Sequence, residues 1–150
     1  MTSQAPIFTN FAKLYRDSGY SVLPVNGKRP FLPNWSRYCD EAVDEATFHH
    51  WESEYPNANI GLCMGNGICA LDIDLDFDNA DHLKVFNRLK DLIPYSPAEK
   101  VGRLGFTRLY QIDDVFASCM FRLKPFGQIE FLNRGRQTVV PPSIHPDTGL

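Results

Sequence analysis

The sequence predicts a mixed α/β or α+β domain. Three observations carry that prediction. The chain has 150 residues, the usual size of one domain. Apolar residues make up 43% and charged residues 22%, an ordinary globular balance. Helical stripes and alternating strand patterns are interspersed along the chain. A chain of this length buries roughly 70% of its unfolded surface, so it needs no disulfide or metal staple to fold. With 11 Phe, 6 Tyr and 2 Trp there is aromatic volume for a core, which argues against a disordered chain.

The first helical stripe is Ile7, Phe8, Phe11, Leu14, Tyr15 and Ser18, and Gly19 is its natural stop. Residues 20–25 form a short strand, which Pro24 places at a sheet edge or near a strand end. Residues 26–30 read as a turn. Asp44 or Asp40 caps a second helix carrying Phe48, Trp51 and Tyr55, and Pro56 ends it. Residues 59–64 are a strand, and Gly65-Asn66-Gly67 turns into the next, over 68–77. Asp78 or Asp81 then caps a helix with Leu83, Phe86, Leu89 and Ile93 on one face, closed by Pro94. Residues 101–111 read as a hairpin around Gly102 and Gly105, and 113–127 follow no single pattern. Residues 128–132 are a strand, 133–135 a turn and 137–140 the return strand, which Pro141-Pro142-Ser143 breaks. There are no internal repeats and no low-complexity segment.

No run approaches the roughly 20 apolar residues needed to cross a bilayer. The opening Met-Thr-Ser-Gln-Ala-Pro has no basic region followed by an apolar run, so it does not read as a signal peptide. Both features predict a soluble, cytoplasmic protein with no membrane partner. The net charge of −3 excludes a uniformly basic protein, but charge is segregated along the chain. Residues 72–81 hold five Asp and no base, whereas 100–136 hold seven Lys or Arg against three acids. That asymmetry suits either two solvated faces or a site where cations bridge carboxylates to a polyanion. No pair among Cys39, Cys63, Cys69 and Cys119 has the short gap of a zinc or redox motif, so they read as reduced structural thiols. His49 and His50 are adjacent, so on a helix they diverge and make a poor metal pair.

The segment Leu71-Asp72-Ile73-Asp74-Leu75-Asp76-Phe77-Asp78 alternates without a miss. In a strand the four apolar residues share one face and the four carboxylates the other. A row of like charges disfavours a strand. A hard divalent cation such as Mg²⁺ or Mn²⁺ would remove that penalty. An EF-hand loop does not fit: from Asp72 its sixth position is Phe77 and its twelfth Leu83, and from Asp74 they are Asn79 and Val85. A plain solvated strand edge is the competing reading. A metal site needs a third carboxylate from elsewhere. Glu130 is a candidate, set by alternation opposite Ile129 and Phe131. The basic turn Asn133-Arg134-Gly135-Arg136 follows it, and arginine supplies planar donors for phosphate.

These residues stand in a recognisable order. It runs Gly19-Tyr20-Ser21-Val22-Leu23-Pro24-Val25, Gly27-Lys28-Arg29-Pro30, Trp35, Asn59-Ile60-Gly61-Leu62 and Leu71-Asp72-Ile73-Asp74. Ile129-Glu130 and residues 139–149, from Val139-Val140-Pro141-Pro142 to Gly149, complete it. The chain thereby resembles the N-terminal bifunctional primase–polymerase domain of phage, plasmid and prophage replication proteins, within the archaeo-eukaryotic primase superfamily. The resemblance spans nearly the whole chain. It implies a small N-terminal αβ part and an RRM-like catalytic part that form a cleft. It implies DNA primase or polymerase activity, on a single-stranded DNA template with ribo- or deoxyribonucleoside triphosphates. It also implies Mg²⁺ or Mn²⁺ as cofactor and a helicase domain or subunit as partner.

Carried over by position, Asp72 and Asp74 match the first catalytic motif and Glu130 the acidic residue of the third. In such enzymes these three hold two divalent metals, one activating the attacking hydroxyl and one stabilising the leaving pyrophosphate. The second motif usually carries a His on the nucleotide's phosphates; in Gly105-Phe106-Thr107-Arg108-Leu109-Tyr110-Gln111, Arg108 takes that place. Arginine binds a triphosphate but does not titrate near neutral pH. Arg103, Thr107, Arg108, Arg136 and His145 are the nucleotide- and phosphate-binding candidates, with Lys100 beside them. Trp35 packs in the core or stacks a template base. The alternatives are a nucleotide- or nucleic-acid-binding module derived from such an enzyme, inactive because the second motif is altered, and a metal-dependent phosphodiesterase using the same carboxylates. No phosphate-binding helicase loop occurs in the sequence. The chain is expected to be the front part of a longer polypeptide, because the family continues beyond the segment that closes it.

Overall fold

The computed structural model describes residues 5–114, 116–123, 127–146 and 149. The leader reading of residues 1–4, the closing positions 147, 148 and 150, and residues 115 and 124–126 of the unpatterned segment lie outside the described residues. The chain folds as two compact units, one of residues 1–66 and 134–150, the other of residues 67–133.

In the first unit, α1 (Ile7–Asp17) and α2 (Glu45–Glu54) accompany a four-stranded antiparallel sheet. Its strands are β1 (Val22–Asn26), β2 (Arg29–Pro30), β3 (Asn59–Met64) and β9 (Arg136–Val140), in the order β2-β1-β3-β9. Every residue of β3 is buried, as befits an interior strand. Phe8 and Phe48 meet at 5.9 Å between ring centroids, and Tyr38 meets Trp51 edge-on at 5.2 Å. Asp44 caps α2 by accepting from the Thr47 backbone N–H at 2.9 Å. β1 lies inside the sheet order, yet β2 pairs only with Val25 and Asn26. At Pro24 the ladder therefore runs to β3 alone, which is where a residue without an N–H fits.

The second unit holds β4 (Ile68–Asp74), α3 (Ala80–Leu89), a 3₁₀ turn at Lys90–Leu92, β5 (Glu99–Val101) and β6 (Phe106–Gln111). β7 (Cys119–Arg122) and β8 (Gln128–Leu132) complete it. All five strands are antiparallel, in the order β5-β6-β4-β8-β7. Ile73, Leu75 and Phe106 form its core, packed against Leu71, Val85, Phe86, Ile93 and Ile129. The α3 residues Val85 and Phe86 thus lie over the odd-numbered face of β4. Helices with antiparallel sheets make this the mixed α+β class the sequence predicts.

The structure corrects four local expectations. The acidic strand stops at Asp74, not at 77. Beyond it Asp76 folds into a turn, its carboxylate accepting from the Asp78 N–H at 3.0 Å and its own N–H donating to His82 Nδ1 at 2.8 Å. The cap of α3 is Asn79, whose side chain accepts from the N–H groups of Asp81 and His82. Residues 119–122 of the unpatterned segment are strand β7. Finally, residues 137–140 do not return beside β8: β9 pairs with β3 in the other sheet.

Candidate active site

Antiparallel register fixes which side chains share a face, because directly opposed residues project the same way. Asp72 lies opposite Glu130 of β8 on one side and Thr107 of β6 on the other. Lys100 of β5 lies opposite Thr107, and Met120 of β7 opposite Glu130. One row therefore crosses all five strands: Lys100, Thr107, Asp72, Glu130, Met120. Two residues along β4, Asp74 lies opposite Gln128, and Arg122 of β7 lies opposite Gln128. The three acidic candidates thus occupy one face of one sheet, the face turned away from the Ile73 core.

Side-chain contacts agree with the register. The Thr107 hydroxyl donates a short hydrogen bond to Asp72 Oδ1. Thr107 is 4% exposed, so this donor is fixed by burial. Asp74 is held at its backbone. Gly105 has φ +63°, and a Cβ there would stand 1.7 Å from the Ile73 carbonyl oxygen. Gly127 has φ +87°, and its Cβ would stand 2.2 Å from the Asp74 carbonyl oxygen. Only glycine permits both approaches. Two loops therefore close on the end of β4 and set where Asp74 leaves the sheet.

Arg108 is on the other face. It lies opposite Leu71 on one side and Glu99 on the other. Its Nε donates to Glu99 Oε2 at 2.7 Å, its Nη1 to the Pro94 carbonyl at 3.2 Å, and its guanidinium sits 4.7 Å above the Phe106 ring. The hydrogen bond to Glu99 raises its pKa further above the ordinary arginine value. The sequence places Arg108 on the phosphates; the structure commits it to the α3 side of the sheet. The β6 residues facing the carboxylates are Thr107 and Leu109.

The other candidates divide between the two units. Arg103 is exposed in the β5–β6 connection. Arg136, which begins β9, and His145, after β9, belong to the first unit. Arg134, in the turn before β9, pairs with Asp40 at 2.6 Å in that same unit. Trp35 starts a 3₁₀ turn over Trp35–Cys39 there and is partly exposed. Cys39, Cys63 and Cys69 are buried free thiols and Cys119 an exposed one. Sequence reading did not place Arg122 on the carboxylate face, since its strand has no periodic signature of its own.

Among the described residues, no three His, Cys, Asp or Glu side chains converge closely enough to form a ready cage for a metal. The donor chemistry nevertheless fits a hard divalent cation: all three acids offer oxygen, and two of them are directly opposed. Directly opposed Cβ atoms stand roughly 4.5–5.5 Å apart, and diagonal ones, as for Asp74 and Glu130, roughly 7–8 Å. By register Asp72 and Glu130 are the nearer pair of carboxylates and Asp74 the more distant one.

No helix among the described residues is long and apolar enough to cross a membrane. A family model described as bifunctional DNA primase/polymerase, N-terminal, matches residues 12–149. No curated protein matches the chain.

Proposed function

The chain belongs to the bifunctional DNA primase/polymerase N-terminal family, and from that membership we propose that it performs template-directed nucleotidyl transfer on the carboxylate face of its five-stranded sheet. The family is one of primases and polymerases that act on DNA and nucleotides and generally use divalent metals. The observation that carries the assignment to this face is the register of Asp72 against Glu130, with the Thr107 hydroxyl on Asp72.

The proposed roles follow from position. Asp72 and Glu130 hold Mg²⁺ or Mn²⁺ between β4 and β8, and Asp74 adds a third carboxylate from the strand end. When bound, such cations neutralise phosphate charge and lower the pKa of an attacking hydroxyl. Thr107 occupies Oδ1 of Asp72 and so leaves Oδ2 as the oxygen available to the cation. The sheet fixes these groups before substrate arrives, which is the contribution that phosphoryl-transfer sites chiefly require.

The test is incubation with labelled nucleotides, Mn²⁺ and a primed or unprimed single-stranded DNA template. Extension by the wild type, lost in Asp72→Asn and in Glu130→Gln, supports the reading. Binding without turnover would identify a module that has lost catalysis, and template degradation would identify a phosphodiesterase; either overturns it.

A further inference from the structure

We propose that Arg122, on edge strand β7, contacts the phosphates of the incoming nucleoside triphosphate; this rests on the nucleotidyl-transfer reading of the carboxylate face. Three observations lead to it. The register Asp74–Gln128–Arg122 puts this arginine on the face that carries Asp72, Asp74 and Glu130. Arg108, the β6 arginine, is on the opposite face and bound to Glu99 and Pro94. Arg122 is exposed and lies at the sheet's edge, so its guanidinium is open to a ligand arriving from solvent.

The spacing suits a triphosphate. Neighbouring strands are roughly 4.8 Å apart, so β7 lies about 10 Å from β4 along the row. An arginine side chain directed inward covers most of that interval, and a phosphate chain held at the carboxylates covers the rest. Gln128 stands between Asp74 and Arg122 as a neutral amide, and Glu130, on the same strand as Gln128, lies diagonal to Arg122. Guanidinium is the better cation here than ammonium, because its planar fork engages two phosphate oxygens at once. Met120 precedes it on the same face, opposite Glu130, and is 41% exposed.

The test measures two quantities on the full chain. Affinity for a nucleoside triphosphate and for the matching monophosphate is titrated calorimetrically with Mn²⁺, in wild type, Arg122→Ala and Arg122→Lys. Steady-state extension on a single-stranded template is followed in the same proteins and in Asp72→Asn. Arg122→Ala should weaken triphosphate binding and raise its KM roughly 10- to 100-fold, the usual effect of losing a charge-assisted hydrogen bond. Arg122→Lys should recover part of the loss, and monophosphate affinity should change much less. Unchanged triphosphate affinity in a folded Arg122→Ala protein overturns the proposal, as does an equal loss for both nucleotides. The outcomes for the two readings separate. If the wild type extends and Asp72→Asn does not, yet Arg122→Ala binds normally, only the arginine assignment fails. If Arg122→Ala loses triphosphate affinity but the wild type never extends, only the transfer reading fails.

Discussion

Replacing Gly105 by Ala tests how the carboxylate strand is held. The residue has φ +63°, and an added Cβ would lie 1.7 Å from the Ile73 oxygen, 2.8 Å from its carbonyl carbon and 3.1 Å from the Leu75 nitrogen. Those are backbone atoms, so no side chain can swing aside. The left-handed conformation costs an L-residue about 1–2 kcal/mol. Forcing the β4 end away adds an overpacking cost of about 1–3 kcal/mol. Reduced freedom of the unfolded chain returns about 0.4–1 kcal/mol. The net loss is about 2–4 kcal/mol, or roughly 5–15 °C in Tm for a chain of this size. Gly19→Ala is the control: Gly19 has φ +90° but nothing within 4 Å of its added Cβ, so only the conformational cost applies. The assay is thermal melting followed by far-UV circular dichroism alongside tryptophan fluorescence. Both tryptophans, Trp35 and Trp51, lie in the first unit, so a divergence between the probes reveals which unit has lost stability. Extension activity of Gly105→Ala should fall even below its melting transition, because Asp74 lies between the displaced atoms. If Gly105→Ala melts within about 2 °C of Gly19→Ala, the close approach does not hold the strand end and the reasoning is wrong.

Four further outcomes follow from the same geometry. Asp72→Asn should abolish Mn²⁺-dependent extension, and should raise metal-free stability by about 0.2–1 kcal/mol through relief of the opposed charges, read by denaturant titration with chelator present. Arg108→Ala should lower stability by about 1 kcal/mol, from the lost Glu99 pair and Phe106 contact, while nucleotide KM stays unchanged in steady-state extension; a raised KM would return Arg108 to the substrate. Thr107→Val keeps the side-chain shape but removes the donor to Asp72, and should weaken Mn²⁺ affinity measured calorimetrically, with loss of extension in proportion. Asp44→Ala should lower the urea midpoint by uncapping α2, with extension kinetics intact below the transition.

The acidic face was legible because its signal is local. Alternation around Asp72 and Asp74 and around Glu130 needs only the pleat to be read correctly, and the register then brings those strands together. Three things were not legible, each for a non-local reason. Arg108 and Thr107 are neighbours, so one of them must face away; the pairing with β4 decides which, and pairing is not written in the β6 residues themselves. The strand β7 has no alternation, since Cys119, Met120, Phe121 and Arg122 are all exposed along an edge, and burial is what creates a periodic pattern. The turn after Leu132 looks like a hairpin turn by its residues, Asn133-Arg134-Gly135. Yet the chain passes there from one sheet to the other, because β3 offers Val140 and Thr138 buried partners in Ile60 and Leu62.

The same contrast explains how a strand can carry opposed carboxylates at all. Asp72 and Glu130 repel across β4 and β8, a cost of up to about 1 kcal/mol that the metal-free sheet must bear. The sheet compensates at sites off the carboxylate face or beside it. Ile73, in β4, and Leu75, just beyond its end, are 1% and 0% exposed in the core with Phe106 and the α3 side chains, so the main chain on both sides of Asp74 is anchored from the opposite face. The buried Thr107 hydroxyl takes one oxygen of Asp72, and two glycines close on the backbone around Asp74. The Thr107 hydroxyl engages Oδ1 of Asp72, and the glycine contacts fall on the main chain. Stability is thus supplied through the opposite face and the main chain. A variant that relieved the repulsion by neutralising either acid should be the more stable protein without metal and the inactive one with it, and that inverse relation between metal-free stability and metal-dependent transfer is what a purely structural acidic face would not show.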